Sequence, residues 1–252
     1  MIGVETIFVS PAQYLIVSAV IVVAAAVYVA LGFGAGLIAV GTLALVLPDI
    51  QDVVVLLLLL GLPAEILVVS TSWRHIRWRG ILSLFAGIAV GIPAGSWLLR
   101  WGEPTFLLVL LGVFLVVAGS AFLLAPKRTV GCFPTWVSAP VGLSSGLLTG
   151  LFGTGGPPLI FYYQLQGVPK TVFRGSLMAL FLGMTFVRVP SYALMGLITA
   201  PRLASTIAIL PAMGLGAWLG HRAQLALDEA TFRRMVSGAL VVIGVLLLLG
   251  RG

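Results

Sequence analysis

The sequence predicts an all-α polytopic membrane protein made of two inverted repeats, each a re-entrant helical hairpin followed by three transmembrane helices. Three observations carry that prediction. Apolar residue types make up 60% of the 252 residues and charged types only 8%, a composition suited to a chain solvated by lipid rather than to a soluble core. The apolar residues fall into ten runs, most of them near the roughly 20 residues needed to cross about 30 Å of hydrocarbon. Two glycine-rich breaks interrupt the oily sequence, Phe33-Gly34-Ala35-Gly36 and Phe152-Gly153-Thr154-Gly155-Gly156-Pro157-Pro158. Irregular backbone survives at hydrocarbon depth only where protein or a water-filled cavity surrounds it.

The elements follow in order. Pro11 to Leu31 is long enough to span, and no Lys or Arg precedes Arg74, so this run lacks the basic start of a cleaved signal peptide and is expected to be part of the mature protein. After the first break, Leu37 to Leu47 is too short to cross alone and reads as the returning leg of a hairpin. Val53 to Ser72 spans, and Gly80 to Leu99 spans with Gly87, Gly91 and Gly95 on one helix face, where small residues let neighbouring helices approach. Thr105 to Leu124 completes the first half. Trp136 to Phe152 leads into the second break, and Pro157 to Gln166 is again a short returning leg. Gly175 to Met195, Leu203 to Gly220, with Gly216 and Gly220 on one face, and Met235 to Leu249 are the last three spans. A pair of tilted full spans remains the alternative to each hairpin.

Charge orients these elements. With the N-terminus outside, Pro48-Asp49-Ile50-Gln51-Asp52 returns outside without a basic residue, and Val53 to Ser72 delivers Trp73-Arg74-His75-Ile76-Arg77-Trp78-Arg79 to the cytoplasm. Lys127, Arg128, Lys170, Arg174, Arg222, Arg233 and Arg234 then share that side, and Arg100, Arg202 and Arg251 lie outside. This satisfies the positive-inside rule and suits a bacterial inner membrane. The second hairpin enters from the cytoplasm, so the two tips point toward each other.

The halves match in order, about 11–125 against about 136–250 within a single transmembrane domain of residues 1–252. Phe33 to Gly36 aligns with Phe152 to Gly155, Gly61 with Gly183, Pro93 with Pro211, Gly95 to Leu98 with Gly216 to Leu219, and Leu115 to Gly119 with Leu240 to Gly244. A hairpin plus three spans crosses an odd number of times, so the second copy sits upside down, the plan of many secondary transporters.

Several classes are excluded. The net charge of +7 sits in short clusters between apolar runs, which points to the membrane face and not to nucleic acid. Cys132 is the single cysteine, with no CxxC and no His/Cys cluster to hold a metal. His75 and His221 read as solvated loop residues beside basic clusters. No phosphate-binding Gly-x-x-x-x-Gly-Lys-Ser/Thr pattern occurs, so the chain is expected to be neither an enzyme nor dependent on a cofactor. Trp73, Trp78, Trp101 and Trp136 lie near span ends, where indole rings anchor helices at the headgroups.

The break after the first run, the loop Trp73 to Arg79 and above all Gly150-Leu151-Phe152-Gly153-Thr154-Gly155-Gly156-Pro157 resemble the sulfite exporter TauE/SafE family over nearly the whole chain. The resemblance implies export of sulfite or an organosulfonate such as sulfoacetate, and it carries the hairpin tips to Gly34, Gly36, Gly153, Gly155, Gly156 and Pro157. No catalytic residue comes with it.

The residue types suit an anion. Each returning leg begins at a tip, where the first helical turn leaves N–H groups unpaired and carries roughly half a positive charge. Gly153, Gly155 and Gly156 can take left-handed dihedrals and expose main-chain donors, Pro157 pre-sets helix entry, and Thr154 adds a hydroxyl. The same glycines equally allow two tips to pack closely. Within the spans lie Glu65 and Arg188, and intramembrane charges face a cavity or one another. Arg188 either binds the anion with its planar fork or pairs with Glu65, which is otherwise a proton-coupling candidate. Tyr162, Tyr163, Gln164 and Gln166 either line a polar path or mark the end of the short leg.

The sequence therefore predicts a secondary transporter exporting a small sulfur-containing anion by alternating access, with the lipid bilayer as its other partner. A channel or importer for another small anion and a non-transporting assembly or scaffold protein are the alternatives. Glycine faces fit a homodimer and internal packing equally well.

Overall fold

The computed structural model describes residues 6–31, 35–72, 78–124, 131, 133–223 and 229–250. Among them are ten helices and no strand: α1 (Pro11–Leu31), α2 (Ala35–Val46), α3 (Ile50–Ser72), α4 (Trp78–Trp101), α5 (Pro104–Leu124), α6 (Thr135–Phe152), α7 (Gly156–Gln166), α8 (Lys170–Leu194), α9 (Ala200–Ala223) and α10 (Glu229–Leu249). Each apolar run of the sequence corresponds to one helix, in order. Among the described residues, five helices contain stretches long and apolar enough to cross a membrane: Pro11–Val29, Ile81–Trp101, Pro104–Leu124, Gly175–Leu194 and Ala200–Arg222. At 1.5 Å per residue, the 12 residues of α2 and the 11 of α7 reach only about 16 to 18 Å, well short of the hydrocarbon thickness.

Local chemistry sets the helix ends. Ser10 Oγ accepts the N–H of Gln13 at 3.2 Å while Gln13 Oε1 accepts the N–H of Val9 at 2.7 Å, a reciprocal arrangement that starts α1. Asp49 Oδ1 accepts the N–H of Gln51 at 2.8 Å and caps α3. Inside α3, Pro63 has no N–H to give the carbonyl of Leu59, four residues earlier.

The chain divides into two compact units. The first contains α1, α2, α3 as far as Leu59, α5, α9 and α10; the second contains α3 from Leu60, α4, α6, α7 and α8. In the first, α5 lies along α10 with Gly112 against Gly244 and Leu248, and Gly119 against Ser237. There, too, α1 packs on α9, where Gly216 and Gly220 meet Val22 and Ala26. Arg202, at the start of α9, donates from Nε to Asp52 Oδ1 at 2.6 Å and from Nη2 to Asp49 Oδ2 at 3.2 Å. These ion pairs put residues 49–52 and the start of α9 at one end of the unit.

In the second unit α4 packs along α6 backbone to backbone. Gly87, Gly91 and Gly95 of α4 face Ala139, Leu143 and Leu147, and Gly142, Gly146 and Gly150 of α6 face Leu84, Ile88 and Ile92. A methyl group at any of these six glycines would overlap main-chain atoms of the partner helix. Lipid tails are as apolar as leucine, so such close van der Waals contact between backbones is what favours this pairing in a bilayer. The two units share a pattern. In each, the helix that precedes a glycine-rich stretch of the sequence (α1, α6) lies along a helix that carries an internal proline and closely spaced glycines (α9 with Pro211, α4 with Pro93). That partner helix comes from the opposite half of the sequence.

Candidate functional site

The second break is described in full and lies within one unit. Helix α6 ends at Phe152 because Gly153 takes the left-handed conformation, with φ +71° and ψ 15°. Its N–H bonds to Thr149 O at 2.9 Å, the αL termination that glycine permits, and the N–H of Thr154 turns back to Leu148 O at 3.5 Å. Gly155 is the N-cap of α7 and Gly156 its first residue.

Of the three glycines expected to use left-handed dihedrals, only Gly153 does so. Gly155 has φ −75°, which any residue adopts, and it is required for space: a Cβ there would collide with Thr149 Oγ1 and the Ser145 carbonyl and lie 2.8 Å from Ser145 Oγ. Gly156 is roomy, its hypothetical Cβ being 3.4 Å from Phe181. Pro157 is buried in the first turn of α7. Because Pro157 and Pro158 have no N–H and Leu159 has the Gly155 carbonyl as its i−4 acceptor, the donors at the start of α7 with no acceptor inside that helix are the N–H groups of Gly155 and Gly156.

Side chains from α6 and α8 surround the break. Ser145 Oγ donates to Gly155 O, and Thr149 Oγ1 donates to Ser145 O at 2.8 Å and lies 3.3 Å from Met184 Sδ of α8. Thr154 Oγ1 is buried and makes no hydrogen bond among the described residues, an arrangement that costs free energy unless a further group fills the position. Arg188, only 5% exposed, reaches the αL turn: a Cβ on Gly153 would sit 2.6 Å from Nη2, 2.8 Å from Nη1 and 3.0 Å from Cζ. Gly153 is thus glycine for two reasons, its dihedrals and the guanidinium that occupies the side-chain position. The Arg188 Cζ also lies 4.8 Å from the ring centroid of Tyr192.

The structure therefore gathers Gly153, Thr154, Gly155, Gly156, Pro157 and Arg188 around one break. Of the remaining sequence candidates, Gly34 lies outside the described residues, and Gly36 is exposed in the first turn of α2, in the other unit. Glu65 is in α3, with its side chain outside the described residues. Trp73, His75 and Cys132 also lie outside them. Tyr162 and Tyr163 are buried, Tyr162 sharing a hydrogen bond of 2.8 Å with Ser138 and stacking on Phe133, so they secure the far end of α7.

Ser145, Thr149 and Tyr192 were missed by the sequence reading. Their signal was present: Ser145 and Thr149 stand four apart in the run leading to the break, and Tyr192 follows Arg188 by four, the spacing that puts helix residues on one face. Chemically the break combines backbone amides, a buried hydroxyl and a guanidinium, all donors, and so suits an oxyanion. No group of three or more His, Cys, Asp or Glu suited to a metal occurs among the described residues.

Among the described residues, ten helices with five long and apolar enough to cross a membrane are the architecture of a multi-pass helical membrane protein. The chain belongs to the sulfite exporter TauE/SafE family, whose model matches residues 17–247. Members of this family are transporters, and the chain is a membrane transporter and not an enzyme. It is 29% identical over 222 residues to the probable sulfite/organosulfonate exporter TauE of Cupriavidus necator, covering 86% of this chain and 87% of that one. It is 25% identical over 190 residues to the probable inner membrane transporter protein TsaS of Comamonas testosteroni, covering 75% and 80%. No solved structure matches the chain.

Proposed function

We propose that this transporter exports sulfite or an organosulfonate such as sulfoacetate from the bacterial cytoplasm by alternating access, with the anion held at the α6–α7 break. The observation that carries the reading is the buried Arg188 guanidinium against Gly153, beside a buried Thr154 hydroxyl that makes no hydrogen bond among the described residues. A sulfonate or sulfite offers several acceptor oxygens on one sulfur. The guanidinium fork binds two of them, and the Thr154 hydroxyl and the Gly155 and Gly156 amides take the remainder. The exporter relatives support the direction of transport and the class of substrate. Inverted repeats are supported by the pairing that recurs in the two units, and an outside N-terminus by the positive-inside pattern together with the Arg202 ion pairs to Asp49 and Asp52.

Purified protein in liposomes tests the proposal. Isotope-labelled sulfite and sulfoacetate are expected to exchange, and taurine, which carries a cationic amine, to lag behind. Arg188→Gln removes a charge-assisted pair of hydrogen bonds and is expected to raise KM for sulfite by about 10- to 100-fold. Equal background flux for every solute would point to a scaffold. Flux that runs downhill without counterflow would point to a channel.

A further inference from the structure

We infer that Tyr192 is a positioning residue that holds the Arg188 guanidinium at the break, an inference that rests on the anion site proposed above. The two residues are one helical turn apart on α8, so their side chains leave the helix on the same face. The guanidinium carbon lies 4.8 Å from the Tyr192 ring centroid, within the range of a cation–π contact, which gains strength where water is excluded. Tyr192 is fully buried, and its hydroxyl donates to Gly150 O at 2.7 Å.

The break itself creates that acceptor. In an uninterrupted helix Gly150 O would receive the N–H of Thr154, but this N–H turns back to Leu148 O because Gly153 is left-handed. The freed carbonyl is taken by Tyr192. Gly150 is in turn pressed against Ile92, Gly95 and Ser96 of α4, with no space for a side chain, so the acceptor cannot drift. The result is a continuous support running from the α4–α6 seam through Gly150 and the Tyr192 ring to the guanidinium beside Gly153.

An arginine free to sample its rotamers loses side-chain entropy when an anion fixes it. Confining it before the anion arrives improves affinity without adding a contact. Tyr192 thus acts on binding, through Arg188, and has no bond to make to the cargo.

The test measures the concentration dependence of labelled sulfite counterflow in proteoliposomes for the wild type, Tyr192→Phe, Arg188→Gln and the double variant. Tyr192→Phe keeps the ring and loses the hydroxyl. Its expected effect is a KM raised by about five- to tenfold with the maximal rate changed less than about twofold. In the Arg188→Gln background the same change is expected to add less than about twofold, because the group it orients is gone. Two outcomes overturn the inference while leaving the anion site standing: Arg188→Gln raises KM and Tyr192→Phe does not, or the two effects multiply independently. An unchanged KM in Arg188→Gln overturns the anion site and this inference together. Tyr192→Phe is close to isosteric, and a monodisperse elution profile separates an affinity change from a folding defect.

Discussion

Adjacent glycines at the break answer a methyl group in opposite ways, and Gly155→Ala against Gly156→Ala measures that difference. Alanine adopts φ −75° without strain, so the cost at Gly155 is collision alone. Its Cβ would overlap Thr149 Oγ1 and the Ser145 carbonyl and come to 2.8 Å from Ser145 Oγ. Ser145 Oγ ties the α7 N-cap to α6 through Gly155 O, and the Thr149 hydroxyl braces Ser145 within α6. Overpacking costs about 1 to 3 kcal/mol, and losing a buried neutral hydrogen bond about 1 kcal/mol more, so the sum is about 2 to 4 kcal/mol. At Gly156 the nearest atom, Phe181 Cζ at 3.4 Å, is in ordinary contact range, and alanine gains up to about 1 kcal/mol of helix propensity. Thermal unfolding of purified protein in detergent should place Gly155→Ala on the order of 10 °C below the wild type. Gly156→Ala should match or exceed it. Sulfite counterflow should follow the same order. If Gly155→Ala melts and transports like the wild type, the tight contact between the N-cap and Ser145–Thr149 has no energetic consequence, and the account of why this position is glycine fails.

Three further outcomes are expected. Gly146→Val, in the α4–α6 seam, puts a branched side chain against the Ile88 carbonyl and should abolish monodisperse protein, whereas Gly214→Ala, with open space around it on α9, should leave yield and melting unchanged. Arg202→Gln removes both ion pairs and leaves Asp52, whose side chain is only 16% exposed, without its cation. Melting should reveal a loss of about 3 to 5 kcal/mol, partly recovered when Asp52→Asn is added. Val9→Cys in a Cys132→Ser background, at a position that is 85% exposed, should react with a membrane-impermeant maleimide in intact cells if the N-terminus is outside.

Helix count and order were legible because hydropathy in a membrane chain reports the same thing at every span. The run Pro11 to Leu31 and helix α1 coincide, and the two short apolar runs are α2 and α7. Starts were less legible where a helix begins in water. Helix α8 opens at Lys170 and α10 at Glu229, each five or six residues before its apolar run, since polar first turns are hydrogen-bonded helix that hydropathy does not register. At the site, Arg188 and the glycines stood out as a charge in oil and as breaks. Tyr192 did not, because its importance lies in a backbone acceptor, Gly150 O, that exists only once the chain has turned left-handed at Gly153. The stripe Gly87, Gly91, Gly95 was visible, and its counterpart Gly142, Gly146, Gly150 carries the same period. That the two lock together across α4 and α6 is a long-range contact with no local sign.

Pro63 has a mechanical consequence. The hydrogen bond it removes would have closed on the Leu59 carbonyl, and Leu59 is the last α3 residue of one compact unit, with Leu60 the first of the other. Gly61, without a Cβ, stands between them and the proline. A rod lacking one of its longitudinal ties flexes there with the least resistance, so the compliance of α3 is concentrated at the residues where the backbone passes between the two bodies.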